Sequence, residues 1–182
     1  GNGLGIGLVD YMVKKQTDPD TNEFFPDFGV YNDQDGEYKK YRSSECEQDA
    51  LYIIKANAPI NTEAHANAQS MMSSGKVKFL IDERVAKTKL LGTKVGQNMK
   101  PEERAEYLKP FTLTSILREE MMNLREENEG VNIILRQANR GIKKDKFSAF
   151  EYGLYYIKQE EDKKRKKKKF NANINRNLFK TI

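Results

Sequence analysis

The 182-residue chain has one cysteine, Cys46, and one histidine, His65. A lone cysteine closes no internal disulfide, and one thiol with one imidazole cannot furnish an ordinary structural zinc site. Long apolar runs are missing too. Stretches such as Leu51-Tyr52-Ile53-Ile54 stop far short of the roughly 20 residues that cross a bilayer. The first residues lack the charged-then-apolar layout of a secretion leader, so the expectation is an intracellular protein with no membrane partner.

Nucleotide-binding signatures are absent as well. In Gly1-Asn2-Gly3-Leu4-Gly5-Ile6-Gly7 the third glycine of a dinucleotide fingerprint would fall on Ile6 or Leu8, and no strand precedes it. No Gly-x-x-x-x-Gly-Lys-Ser/Thr occurs, so the chain by itself is not an ATP-driven motor. The acidic clusters Asp18-Pro19-Asp20 and Asp33-Gln34-Asp35-Gly36 do not match a calcium loop, which also needs a glutamate at its twelfth position and flanking helices.

What the chain does have is charge. Charged residues make up 32% and hydrophobic ones 37%, with a mean hydropathy of -0.82. A polar protein of this length holds one compact domain and an appendage. The formal net charge is +5, but it is unevenly placed: Lys163 to Ile182 holds nine of the 32 basic residues and none of the 27 acidic ones. The body, residues 1–162, is therefore mildly acidic. The run Lys163-Lys164-Arg165-Lys166-Lys167-Lys168-Lys169 repels itself and is expected to form a flexible tail over 163–182, which is either simply solvated or a sink for a polyanion such as DNA.

Periodicity sets the element expectations. Leu8 to Val13 reads as a helix after a glycine turn, and Thr17 to Glu47, rich in Asp, Asn, Gly and Pro, as an exposed excursion. Ala50 to Lys55 suits a buried strand, Asn61 to about Ser73 a helix stopped by Gly75, and Val77 to Ile81 a second strand, which together would make a parallel crossover unit. A helical stretch begins at Asp82. Thr114 to about Asn128 reads as an amphipathic helix with Ile116, Leu117, Met121 and Leu124 inward. Val131 to Leu135 follows as a strand, Arg136 to Lys144 as a basic loop, and Lys146 to Glu161 as a last helix. The class expected is α/β with a mixed sheet.

Chemistry is best sought at Gly141-Ile142-Lys143-Lys144-Asp145-Lys146-Phe147-Ser148, where one acid meets concentrated positive charge. Lys143, Lys144 and Lys146 could hold phosphates, with Arg136 and Arg140 beside them, while the Asp145 carboxylate at a helix start could bind a hard divalent ion. The same aspartate could equally be the helix N-cap.

The order of Gly1 to Gly7, strand, helix, Gly75-Lys76-Val77-Lys78-Phe79-Leu80-Ile81, and finally Lys143-Lys144-Asp145-Lys146-Phe147-Ser148-Ala149-Phe150-Glu151-Tyr152-Gly153-Leu154 resembles the C-terminal nuclease domain of phage terminase large subunits, over Gly1 to about Gln159. The resemblance implies a ribonuclease-H-like mixed sheet flanked by helices, N-terminally incomplete, in which three carboxylates bind two Mg2+ or Mn2+ ions and cut concatemeric DNA during packaging. It carries over one ligand, Asp145, as the third carboxylate. The other two acids it places upstream of Gly1, and it leaves Asp10 as a helix residue. It further implies double-stranded DNA, the terminase ATPase domain, the small terminase subunit and the portal protein as partners, in the cytoplasm of an infected bacterial host.

Two other functions fit the residues. One is a non-catalytic DNA- or portal-binding module using Arg136, Arg140, Lys143, Lys144 and Lys146 with Lys163, Lys164, Arg165, Lys166 and Lys167. The other, nucleophilic catalysis by Cys46 with His65, requires the two to meet in space; a loop position for Cys46 and a polar helix for His65 place both on the surface instead.

Overall fold

The computed structural model describes residues 5–25, 27–33, 35–39 and 49–178. Gly1 to Leu4, part of the 17–47 excursion and Cys46 lie outside the described residues. The chain divides into two compact units, Gly1–Lys55 and Ala56–Ile182.

In the first unit, helix α1 (Gly5–Met12) is followed by four very short strands, β1 (Gln16–Thr17), β2 (Phe24–Phe25), β3 (Gly29–Val30) and β4 (Asp49–Leu51). β1 and β2 pair antiparallel across a turn built by Asp18, whose carboxylate accepts the amides of Asp20 and Thr21 at 2.8 and 3.0 Å. Those backbone bonds, Thr21's above all, hold the Asp18 carboxyl below its ordinary range. β3 and β4 pair parallel. Asn32 extends that pairing with its side chain: its Oδ1 accepts the Ile53 amide at 2.8 Å and its Nδ2 donates to the Ile53 carbonyl at 2.7 Å. The strand expected over Ala50 to Lys55 is thus three residues of ladder continued by an asparagine that imitates backbone.

The second unit is mainly helical: α2 (Ala58–Ser73), α3 (Glu83–Leu91), α4 (Lys94–Asn98), α5 (Pro101–Met122), the hairpin β5 (Leu124–Glu129) and β6 (Asn132–Gln137), and α6 (Asp145–Leu178). The starts follow from capping chemistry. Asn57 accepts the Ile60 amide at 3.0 Å, Asp82 the Arg84 amide at 2.9 Å, and Thr93 the Gly96 amide at 3.0 Å. Pro101 opens α5 and Glu103 reaches back to the Lys100 amide. Gly75, with φ +70°, ends α2.

Two small cores hold this unit. Ala68 and Met71 of α2 pack on Leu154 of α6, with Phe150 and Val77 against them; Ala86 and Leu90 of α3 pack on Leu108 of α5, with Met99 and Phe111 beside them. Burial of a leucine such as Leu154 contributes about 1.5–3 kcal/mol.

Three sequence expectations change here. Val77 to Ile81 is not a strand, and no parallel crossover unit forms: the segment is held instead by Phe79 stacking on Phe150 at 5.7 Å and by Arg118, which donates to the Leu80 carbonyl at 2.8 Å. The helix expected over 114–128 begins at Pro101 and ends at Met122, and Leu124–Glu129 pairs antiparallel with β6 from Leu124↔Gln137 to Glu129↔Asn132. The basic run is not a separate coil; α6 continues through it to Leu178. The protein is of mixed α and β content, and among the described residues every sheet has two strands.

Candidate functional site

The site nearest to the sequence expectation is the start of α6, and its position is fixed by the loop that precedes it. Asn123, the residue after α5, is buried and closes that loop. Its Oδ1 accepts the Asn139 amide at 2.8 Å, its Nδ2 donates to the Asn139 carbonyl at 2.9 Å, and its own carbonyl accepts the Ala138 amide at 2.7 Å. Gln137 donates to the Ile142 carbonyl at 2.7 Å, and Lys144 Nζ to the Leu135 carbonyl at 3.3 Å. The basic loop is therefore a tightly bonded turn.

At its end Asp145 is the first residue of α6 and is exposed. It is not the cap of that helix. Glu120 of α5 takes that part: it is 2% exposed, its Oε2 accepts the Phe147 amide at 2.8 Å, and Lys146 Nζ lies 3.8 Å from its Oε1. A buried carboxylate at a helix N-terminus satisfies an otherwise orphaned amide and sits at the positive end of the helix dipole. Because Glu120 does this, the Asp145 carboxylate is left without a hydrogen bond or ion pair among the described residues. Glu120 was legible only indirectly, as an acid four residues after Ile116 and three after Leu117, on the apolar stripe of its helix.

The basic candidates separate into two groups. Arg136 pairs with Glu127, Lys144 and Lys146 bond as above, Lys163 reaches Glu160 at 2.8 Å, and Arg165 lies 3.8 Å from Glu161. Arg140, Lys143, Lys164, Lys166 and Lys167 are exposed and make no salt bridge among the described residues. Next to the basic run, Lys158 bonds Asp162 at 3.0 Å and holds its carboxyl below the ordinary range.

His65 is a further correction, being buried and not on the surface. Its Nδ1 lies 3.2 Å from Glu151 of α6 and its Nε2 2.8 Å from Glu126 of β5, while Gln69 also bonds Glu126. The bond to Glu151, helped by that to Glu126, keeps the imidazole protonated to higher pH than usual, against the opposing effect of burial. Both ring nitrogens are committed to carboxylates from other elements, so His65 is a pin joining α2, β5 and α6 and has no free nitrogen with which to activate a thiol. Beside it, a cleft of about 260 Å3 is bordered by Asn61, Ile133, Lys144, Ser148 and Tyr152. The Tyr152 hydroxyl donates to Asn61 Oδ1 at 2.8 Å; burial, with the nearby Glu151 charge, raises its pKa.

Among the described residues, no three His, Cys, Asp or Glu side chains gather to hold a metal ion, and no helix is long and apolar enough to cross a membrane. Comparison of the chain with protein families, with curated proteins and with solved structures finds no match.

Proposed function

We propose that this chain is part of the metal-dependent endonuclease of a phage DNA-packaging terminase large subunit, which cuts concatemeric viral DNA during genome packaging. The observation that carries the reading is the Asp145 carboxylate, exposed and unengaged at the start of α6 with Lys143 and Arg140 exposed on the turn before it. A hard cation takes carboxylate oxygens, and lysines and arginines beside it hold the phosphates of the strand to be cut.

The fit to the metal pair is partial. A pair of divalent ions would need oxygens from more than one carboxylate, and of the described residues Asp145 is the one that would serve as a ligand. On this reading the two remaining acids are those the resemblance places upstream of Gly1, while the mixed sheet it implies is not formed among the described residues, where every sheet has two strands. When bound, such ions activate a water and stabilise the leaving oxygen of the phosphodiester. The chain's own contribution is to hold Asp145 in place through Glu120 and to present Arg140 and Lys143 to the DNA backbone. The ATPase domain, small terminase subunit and portal are the protein partners this function requires.

The test is nicking of supercoiled DNA in Mn2+. Residues 1–182 alone should nick poorly; the chain extended by its upstream sequence should nick strongly and lose that activity with Asp145→Ala. Robust nicking by residues 1–182 that survives Asp145→Ala would overturn the assignment.

A second reading, a non-catalytic DNA- or portal-binding module, is favoured by Lys164, Lys166 and Lys167, which stand exposed along α6 with no salt bridge to a described residue. It requires DNA affinity that falls steeply with salt, disappears on deletion of 163–182, and is indifferent to Asp145→Asn.

A further inference from the structure

The helical part of the second unit carries an apolar groove that neither reading uses. It lies among α3, α4 and α5, has a volume of about 420 Å3, and is lined by Ile81, Leu90, Val95, Met99, Tyr107 and Phe111. Leu90 at its base is buried, but its walls are wet: Val95 is 71% exposed, Tyr107 49% and Ile81 40%, and Val85 on α3 is 46% exposed. Large apolar side chains clustered at the surface mark a site of association.

The charges around the groove indicate what would cover it. Lys89 lines it, Lys87 and Lys94 lie on the same two helices, and none of the three makes a salt bridge among the described residues. On α5, Glu106 pairs with Lys109 at 3.3 Å and Glu103 accepts the Lys100 amide at 3.1 Å, and no acid of that helix is among the residues lining the groove. Among the residues that line the groove the one charged side chain is Lys89. A nucleic-acid backbone would satisfy the lysines but leave the apolar walls in water. An amphipathic helix with an apolar stripe and acidic flanks satisfies both, placing side chains at i, i+3, i+4 and i+7 in the groove and carboxylates against the lysines.

We propose that this groove is a docking site for an acidic amphipathic helix of a partner protein. The site is separate from Asp145 and stands whether or not the chain is a nuclease.

The probe is a fluorescein-labelled 16-residue peptide with leucines at i, i+3, i+4 and i+7 and glutamates on both flanks, compared by anisotropy with a lysine-flanked version and a scrambled one. The acidic peptide should bind the 182-residue chain at least tenfold more tightly than either control. Val95→Asp, a change at an exposed position that leaves the fold intact, should weaken it at least tenfold, and Lys89→Glu with Lys94→Glu should do the same. Equal binding of the three peptides, or none, overturns the proposal. So does competition by duplex DNA that the lysine changes remove and Val95→Asp does not, which would make this a nucleic-acid surface. Concentration-dependent self-association abolished by Val95→Asp would show that a second copy of the chain covers the groove, and would overturn it as well.

Discussion

Removing the Glu120 carboxylate should loosen the start of α6 by more than the loss of an ordinary neutral hydrogen bond, about 0.5–1.5 kcal/mol. The side chain is 2% exposed and accepts the Phe147 amide at 2.8 Å, with Lys146 Nζ 3.8 Å away. Phe147 is itself 3% exposed, so its amide has little access to water as a substitute. A hydrogen bond to a charged group contributes about 1.5–3 kcal/mol, and an amide left buried without a partner costs about 1–3 kcal/mol; these overlap, since both describe the same lost contact. Glu120→Ala should therefore destabilise the second unit by about 2–4 kcal/mol once the small cavity is included. Glu120→Gln keeps an acceptor for Phe147 and loses only the charge, so its cost should be about 1 kcal/mol. Urea unfolding gives the two stabilities, and amide exchange at Phe147 reports the helix start directly, where 1.4 kcal/mol is about tenfold in rate. If Glu120→Ala falls within about 0.5 kcal/mol of the parent, the range of an ordinary surface change, with Phe147 exchange unaltered, then Glu120 is not what fixes α6.

Three other predictions concern separate features. His65, whose pKa is raised by Glu151 and Glu126, contributes stability in full below its unfolded pKa of about 6.5 and loses it as pH rises through the higher folded value; the urea midpoint should fall over that window, and His65→Ala should remove this part of the slope. A Cβ on Gly96 would lie 2.1 Å from the Leu90 carbonyl oxygen, so Gly96→Ala should cost about 1–3 kcal/mol as α3 and α4 are forced apart, read as a lowered thermal midpoint. If α6 binds DNA through Lys164, Lys166 and Lys167, changing all three to Gln should reduce the dependence of log affinity on log salt by about 2–3 units, measured on duplex DNA by anisotropy, and an unchanged slope would show that these lysines make no phosphate contact.

Of the second unit's helix boundaries, the sequence reading locates the start of α3 at Asp82 and the end of α2 at Gly75, but it begins α2 at Asn61 and the long helix at Thr114 and does not foresee α4, although the caps are there to be read. Asn57, Asp82, Thr93 and Pro101 each stand at a helix start, and Gly75 ends α2. The other missed features depend on partners remote in sequence. Val77 to Ile81 has the composition of a strand, but a strand needs an adjacent edge; here Phe150 and Arg118 supply side-chain contacts where a ladder would have been. Leu124–Glu129 looks like continued helix because its charges are spaced for either period, and only the pairing with β6 decides. His65 on a polar helix reads as a surface residue because its partners, Glu126 and Glu151, lie 61 and 86 positions away. The basic run reads as flexible because seven like charges repel; along the helix the acids Glu160, Glu161 and Asp162 pair at i+3 and i+4 spacing with Lys158, Lys163 and Arg165 and relieve part of that repulsion. At the candidate site, Asp145 and its lysines were visible as composition, whereas the reason Asp145 is free, the Glu120 cap, is a tertiary fact.

The bonds that Asn123, Gln137 and Lys144 make across residues 138–144 have a consequence for any ligand that approaches Arg140 and Lys143. The backbone carrying those two cations is ordered during folding, so a ligand does not have to order it again. Association then immobilises only the side chains, at about 0.5–1.5 kcal/mol each. A preformed turn of this kind keeps recognition fast and geometrically selective, and an Asn123→Ala chain should bind the same charges more weakly with no contact removed from the interface itself.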